Sequence, residues 1–323
     1  MKQLVLIATI FFGGACPSLA ADHEAEQQML DSARRPADLF QGQGDPFAME
    51  VDFTTQFKAP IQGHFSIKWG SKDHWWSKVE VGGFEQTTIK NGEMEYTSRN
   101  FPYTPSEVSS LFRLINFEGN TEELVAQKQK DRTENGIASV CVQAERKGYV
   151  MREIDETCLD AATHDLLSEE WQVQDQKKRE QFADYVEFNG RRYPRKLQRL
   201  VNGSVIASAS VISLQPAAFD LSLLTPPKGS IERRHCSGMV PPVNISRPLP
   251  HYSGWEKVAG VTTARFTVLT DGSVDNIQIT HSGGQIVDQV NLAAMKKWKY
   301  KPAMCGTEPV VSDMWASQTY KAN

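Results

Sequence analysis

Apolar and polar positions alternate with a period of two along most of this chain, and the period changes to 3.6 only in short stretches. A polar lead-in at 22–48 carries a short helical pattern over Ala25 to Ala33. From Met49 onward, short runs rich in aromatic and β-branched residues follow one another. They lie around Phe53 and Phe57, then at His64 to Trp69, Trp75 to Val81, Phe84 to Ile89 and Met94 to Ser98. Gly63, Gly70, Gly82-Gly83 and Asn91-Gly92 punctuate them, and an Asn-Gly pair between two such runs predicts a hairpin because the tight turn needs positive φ. Val108, Leu111, Phe112 and Ile115 then share one helical face, which predicts a helix over Pro105 to Leu114. Glu122 to Lys130 reads as a second short helix. Strands resume at Ile137 to Ala144, Tyr149 to Asp155, Leu166 to Val173, Gln181 to Phe188, Arg192 to Leu200 and Val205 to Leu214. Pro226-Pro227-Lys228-Gly229 opens a linker over 226–239.

The remainder, 240–323, shows the period switching within a short distance. Ala264, Phe266 and Val268 alternate with Arg265 and Thr267, as on a sheet with one buried face. Asp271-Gly272 predicts a hairpin, and Ile277 and Ile279 continue the buried face on the returning strand. Val287, Val290, Ala294 and Trp298 form one stripe of a helix expected over Ile286 to Tyr300, which Pro302 stops. Asp288 in its first turn and Lys296, Lys297 and Lys299 in its last suit the helix dipole. The predicted order is strand, strand, helix and a last strand near Val310 to Tyr320.

Residues 1–21 change the picture of where the protein works. Lys2, an apolar core of about a dozen residues and the small-residue site Ser18-Leu19-Ala20-Ala21 read as a secretory signal peptide cleaved near Ala20. The apolar run is short of the roughly 20 residues a membrane span needs. Cys16 admits a lipoprotein reading, which Gly13-Gly14-Ala15 disfavours because the usual leucine is missing. The expected location is the periplasm. From 240 onward eight basic residues face six acidic ones, and 22–239 carries 26 against 33. Neither part has the strong basic character that nucleic-acid binding requires.

Four cysteines follow the leader: Cys141, Cys158, Cys236 and Cys305. An even count in an exported chain favours disulfides, and three pairings are open. The expected hairpin around Lys147-Gly148 favours Cys141 with Cys158, which leaves Cys236 with Cys305. No two cysteines have metal-ligand spacing, and the seven histidines are scattered. There is no Gly-x-Ser-x-Gly elbow and no phosphate-binding glycine loop. No catalytic residue, metal or cofactor is expected.

The C-terminal string resembles the C-terminal domain of the TonB family. The matching residues are Pro250 and Tyr252, Gly260-Val261, Phe266-Thr267-Val268, Asp271-Gly272-Ser273-Val274, Ser282-Gly283, Ala293-Ala294-Met295, Trp298-Lys299-Tyr300 and Pro302-Ala303. Ser253 stands where the family usually has proline. The best-known TonB transducers would have an uncleaved N-terminal anchor and a proline-rich spacer, and the 16 prolines here form no spacer. The resemblance therefore implies a binding domain more than a motor. Residues 49–225 resemble the LolA/LolB type of lipoprotein carrier and sorting factor. The residues concerned are Gly63-His64-Phe65-Ser66-Ile67-Lys68-Trp69, Trp75-Trp76, Asn91-Gly92 with Tyr96, and Asn189-Gly190-Arg191-Arg192-Tyr193-Pro194. That resemblance implies an α+β chain: an antiparallel β-rich half-barrel with inserted helices, followed by the small TonB-like domain.

In a fold of this type Trp69, Trp75, Trp76, Phe84, Leu111 and Phe112 are candidates to line an apolar ligand face, or else an ordinary core. Val310, Val311, Met314, Trp315 and Tyr320 are candidates for an edge strand that binds an extended peptide of an envelope protein by strand addition, or that pairs with a second copy in a homodimer. The function expected is a non-enzymatic periplasmic or envelope binding protein with an apolar, lipid or lipoprotein ligand. The alternatives are a TonB-dependent energy-transduction component for outer-membrane transport, and an enzyme whose partners are distant in sequence.

Overall fold

The structure, a computed structural model, describes residues 19–33, 38–41, 45–56, 59–101, 103–117, 124–146, 154–173, 176–250 and 260–320. Of the signal-peptide reading over 1–21, residues 1–18, Cys16 included, lie outside them, as do Phe57, the Lys147-Gly148 turn, Tyr252 and Ser253. Two helices come first, α1 (Leu19–Ala33) and α2 (Asp38–Gln41). Five strands follow: β1 (Phe47–Gln56), β2 (Pro60–Ser71), β3 (His74–Val81), β4 (Phe84–Asn91) and β5 (Met94–Arg99). Helix α3 (Ser106–Asn116) precedes seven more, β6 (Leu124–Glu134), β7 (Ile137–Arg146), β8 (Ile154–Asp160), β9 (Leu166–Val173), β10 (Gln176–Phe188), β11 (Arg191–Val201) and β12 (Ser204–Pro216). A 3₁₀ turn (Leu221–Leu224), β13 (Ile231–Arg234) and β14 (Val243–Ser246) lead to β15 (Gly260–Val268), β16 (Val274–His281) and α4 (Gln285–Met295). The chain finishes with β17 (Lys299–Lys301), β18 (Ala303–Cys305), β19 (Glu308–Val310) and β20 (Ser312–Tyr320). The protein is mostly β, antiparallel, with an open sheet and a small C-terminal domain.

The chain divides into two compact units, 1–34 with 120–179, and 35–119 with 180–323. In the first, α1 packs on β6, β7 and β8 through Leu30, Ala126, Val142 and Ala144. Cys141 and Cys158 stand directly opposite on β7 and β8 and are bonded. The helix expected over Glu122 to Lys130 is strand β6 instead. Its local composition suits a helix, but pairing with β7 along its length satisfies its backbone and decides the matter.

In the second unit the strand order is β13-β5-β4-β3-β2-β1-β12-β11, with β10 beside β11. Helix α3 lays Val108, Leu111, Leu114 and Ile115 on β1, β11 and β12. The buried Tyr193 hydroxyl on β11 donates to the Ile115 carbonyl at 2.6 Å, which ties the end of α3 to the sheet. The 3₁₀ turn packs against β3 and β4. The 226–239 stretch, read as a linker, contains β13, which covers the open side of β5. Two residues on, Cys236 is bonded to Cys305 of β18.

The C-terminal part builds its core from Ala264, Phe266, Val268, Met295, Trp298 and Tyr300. The helix ends at Met295 rather than Tyr300. Two tight turns, Lys297 N to Ala294 O at 2.9 Å and Trp298 N to Met295 O at 3.0 Å, free residues 299–301 to pair with β14 as β17. No basic residue therefore stands in the last turn. Trp298 is still fully buried, with Phe266 5.6 Å away edge-on and the Arg247 guanidinium 4.2 Å over its ring. Asp288 ties the first turn of the helix to the segment before it and to β15 by accepting from Gly283 N, Ser282 Oγ and Thr262 Oγ1. The Asp271-Gly272 turn needs glycine: Gly272 has φ 75°, and a Cβ there would sit 1.8 Å from the Tyr300 carbonyl oxygen.

Candidate ligand cavity

Three successive rungs of the ladder in the second unit face the same way. The first runs Trp69, Trp75, Lys90, Glu95 and Arg233 across β2, β3, β4, β5 and β13. The second runs Ile67, Ser77, Thr88 and Thr97, and the third Phe65, Val79, Gln86 and Arg99. Side chains of a pleated sheet alternate between faces, so these rungs form one surface. Each starts apolar on β2 and is polar or charged on β5, and on β13 the first adds Arg233 and the second Ile231.

A cavity of about 460 Å3 lies over this surface, within the size range of small-ligand pockets. Phe40 of α2 and Ser109, Phe112 and Asn116 of α3 wall its apolar end. Aromatic contacts continue there: Phe40 to Trp69 at 5.6 Å, Phe65 to Phe112 at 5.5 Å and Trp69 stacked on Trp75 at 6.4 Å. Over the polar end stands the C-terminal sheet, β16-β15-β20, with the face that α4 does not cover. Arg265, Thr267, Gln278 and Asp313 come from that face.

The charges at this end are held by short contacts. Arg233 donates to Asp313 Oδ1 at 3.1 Å, and Thr267 Oγ1 donates to the same oxygen at 2.8 Å. Arg265 donates to Ser109 Oγ at 3.1 Å, and Arg99 Nε to the Phe101 carbonyl at 3.1 Å. Burial, and then the neighbouring Arg233 charge, push the Arg99 pKa down. In all, Lys72, Arg99, Arg233 and Arg265 line the cavity against Glu95 and Asp313, a positive balance.

Of the six residues that the sequence offers for an apolar face, Trp69, Trp75 and Phe112 line the cavity. Phe84 and Leu111 are buried elsewhere in the packing. Trp76 follows Trp75 on the same strand and so faces the other side of the sheet, opposite Lys68 and Ile89. Of the edge-strand candidates, Met314, Trp315 and Tyr320 lie on β20, which pairs with β15 along one side and ends the sheet on the other. Met314 points into the domain core while Trp315 is 67% exposed. Val310 is buried in the β18–β19 hairpin, and Val311 lies between β19 and β20. Alternation again separates residues that adjacency in sequence had grouped.

The sheet's other face carries a cluster that sequence reading passed over. Glu50 and Asp52 of β1 stand opposite Ser66 and His64 of β2. His64 Nδ1 is 2.8 Å from Asp52 and Nε2 3.0 Å from Glu50, which also accepts from Ser66 at 2.5 Å and Lys68 at 3.1 Å. Burial works against a charged imidazole, but the hydrogen bonds to Asp52 and Glu50 outweigh it and raise the His64 pKa. Burial likewise opposes ionisation of Glu50, and the bonds from Ser66, Lys68 and His64 outweigh it and lower that pKa. Cys141, Glu156 and Cys158 cluster closely enough to hold a metal ion, but both sulfurs are committed to the disulfide. Among the described residues no helix is long and apolar enough to cross a membrane.

The fold and site thus define a β-rich protein with a two-ended cavity capped by a small C-terminal domain. Residues 250–320 match the family described as Gram-negative bacterial TonB protein C-terminal, the family to which the C-terminal motifs pointed. No curated protein matches the chain. Solved structures similar to it include a LolA superfamily protein from Nitrosomonas europaea, at 13% identity and a TM-score of 0.40, covering 62% of this chain and 97% of that one. Another is an outer membrane lipoprotein-sorting protein domain, described as putative, from Vibrio parahaemolyticus, at 12% identity and TM-score 0.40, covering 62% and 97%. A third is a DUF1329 family protein from Desulfovibrio piger, at 13% identity and TM-score 0.41, covering 62% and 98%.

Proposed function

We propose that this is a non-enzymatic binding protein of the bacterial periplasm or envelope, which holds an apolar or lipid ligand in its cavity and engages a protein partner through its TonB-like domain. The observation that carries this reading is the aromatic end of the cavity, where Phe40, Phe65, Trp69, Trp75 and Phe112 pack in pairs and still border open space. An ordinary core fills such space to crystal-like density, and a ligand site leaves it free. On this reading the sheet serves as a half-barrel whose cavity-side face is turned toward the ligand. Among the described residues β20 ends its sheet, and an extended peptide added there would gain affinity from main-chain hydrogen bonds.

Native mass spectrometry of the protein purified from an envelope fraction without detergent tests the ligand half. A bound mass in the lipid range that leaves on denaturation supports it, and a clean ligand-free mass counts against it. The same spectrum reads cleavage near Ala20 or acylation at Cys16. The partner half predicts that proline, placed in β20 where an N–H faces away from β15, abolishes peptide capture while the fold survives, because proline removes a ladder donor.

A further inference from the structure

We propose that the cavity selects a single-chain amphiphile with an anionic head, a carboxylate or phosphate, and that the C-terminal domain supplies part of the head's site. The proposal rests on the apolar-ligand reading above and adds the polarity and direction of the ligand. The observation behind it is the gradient along the three rungs. From β2 to the β5–β13 edge they pass from Trp69 to Glu95 and Arg233, from Ile67 to Thr97, and from Phe65 to Arg99. A chain lying along the rungs has its tail against Trp69, Phe65 and Phe112 and its head among Arg99, Arg233 and Arg265.

The charges there favour an anion. Asp313 answers Arg233 directly. Glu95 stands beside Arg233 in the same rung, and burial keeps the His235 ring, 3.5 Å from it, toward its neutral form, so Glu95 and Asp313 face Lys72, Arg99, Arg233 and Arg265. Arg265 reaches the site from β15, and its bond is to the neutral Ser109 hydroxyl. Arg99 sits close enough to Arg233 for the two cations to disfavour one another. A guanidinium group in a partly desolvated site is suited to a carboxylate or phosphate, through paired, charge-assisted hydrogen bonds. A neutral head gains little here, and a cationic head is repelled.

The test compares four probes of one chain length: dodecanoate, dodecyl phosphate, dodecanol and dodecyltrimethylammonium. Each displaces a fluorescent apolar probe from the full-length mature protein at low salt and below its micelle concentration. The expected result is a Kd for one or both anions about tenfold or more below that of dodecanol, with the cation weakest. Whichever anion binds tighter identifies the head chemistry. Arg265→Gln, at an exposed position, and Arg99→Gln should each weaken the anions several-fold more than they weaken dodecanol; thermal unfolding confirms that both variants fold. Equal affinity for all four heads overturns the proposal and leaves the apolar-ligand reading standing. A preference for the cation overturns it too. Failure of all four to bind removes both.

Discussion

Tyr193 shows how much one buried polar group does here. It packs against Phe40 and Phe117 while its hydroxyl satisfies the Ile115 carbonyl, and burial raises its pKa far beyond any physiological range, so it stays a neutral donor. Replacement by phenylalanine keeps the ring contacts and strands the carbonyl. It is expected to cost about 1–3 kcal/mol, read as a lower urea midpoint with unchanged slope. His64 gives the molecule a pH signature. Its folded pKa is raised above the ordinary 6.5, so its contribution to stability is complete below that value and is lost as pH rises through the raised one. Glu50, with a pKa lowered from 4.5, contributes above its ordinary value and loses that contribution as pH falls through the lowered one. Between about pH 4.5 and 6.5 both contributions are present. The melting temperature of the unmodified protein should therefore exceed that of His64→Gln by more at pH 6 than at pH 9, and a pH-independent gap would refute the assignment.

At the scale of elements, β13 is the piece on which the second unit turns. It closes the open side of β5, delivers Arg233 to the cavity and leads straight into the Cys236–Cys305 bond. Cys236→Ser or Cys305→Ser is expected to destabilise by about 2–4 kcal/mol. Free thiols at both positions in a non-reducing peptide map would contradict the bond. Sequence alone hid this strand. Ile231-Glu-Arg-Arg has no alternation, and four residues become a strand only because an edge nearby needs a partner. The strands of β2 to β5 and helix α3 were legible, because each has one buried face and a regular period. The end of α4 was not, since competition from β14 for residues 299–301 is invisible locally. Trp69, Trp75 and Phe112 were legible as large aromatics. Arg99, Arg233 and Arg265 were not: they come from β5, β13 and β15, and nothing near each one distinguishes it from a solvated arginine. The His64 cluster did leave a trace, since Glu50 and Asp52, and His64, Ser66 and Lys68, sit at alternate positions. Reading it requires the register of β1 with β2.

On the scale of the whole molecule, the cavity belongs to no single stretch of chain. Its floor comes from residues 65–99, one wall from α3, and its cap from residues 265–313. The C-terminal domain thus meets the cavity with one face and, among the described residues, ends its own sheet at its last strand. The two disulfides mark out when such an object can be completed. Cys141 and Cys158 are 17 residues apart, and Cys236 and Cys305 are 69. Closing the longer loop costs about 1.2 kcal/mol more chain entropy in a flexible chain. Refolding from the reduced state with timed alkylation should therefore trap the 141–158 bond first. The 236–305 bond should follow only when β13 and the C-terminal domain have met. Until then the polar end of the rungs, at Glu95 and Arg99, lacks its cap, so the folding chain passes through an interval in which that end is open to solvent.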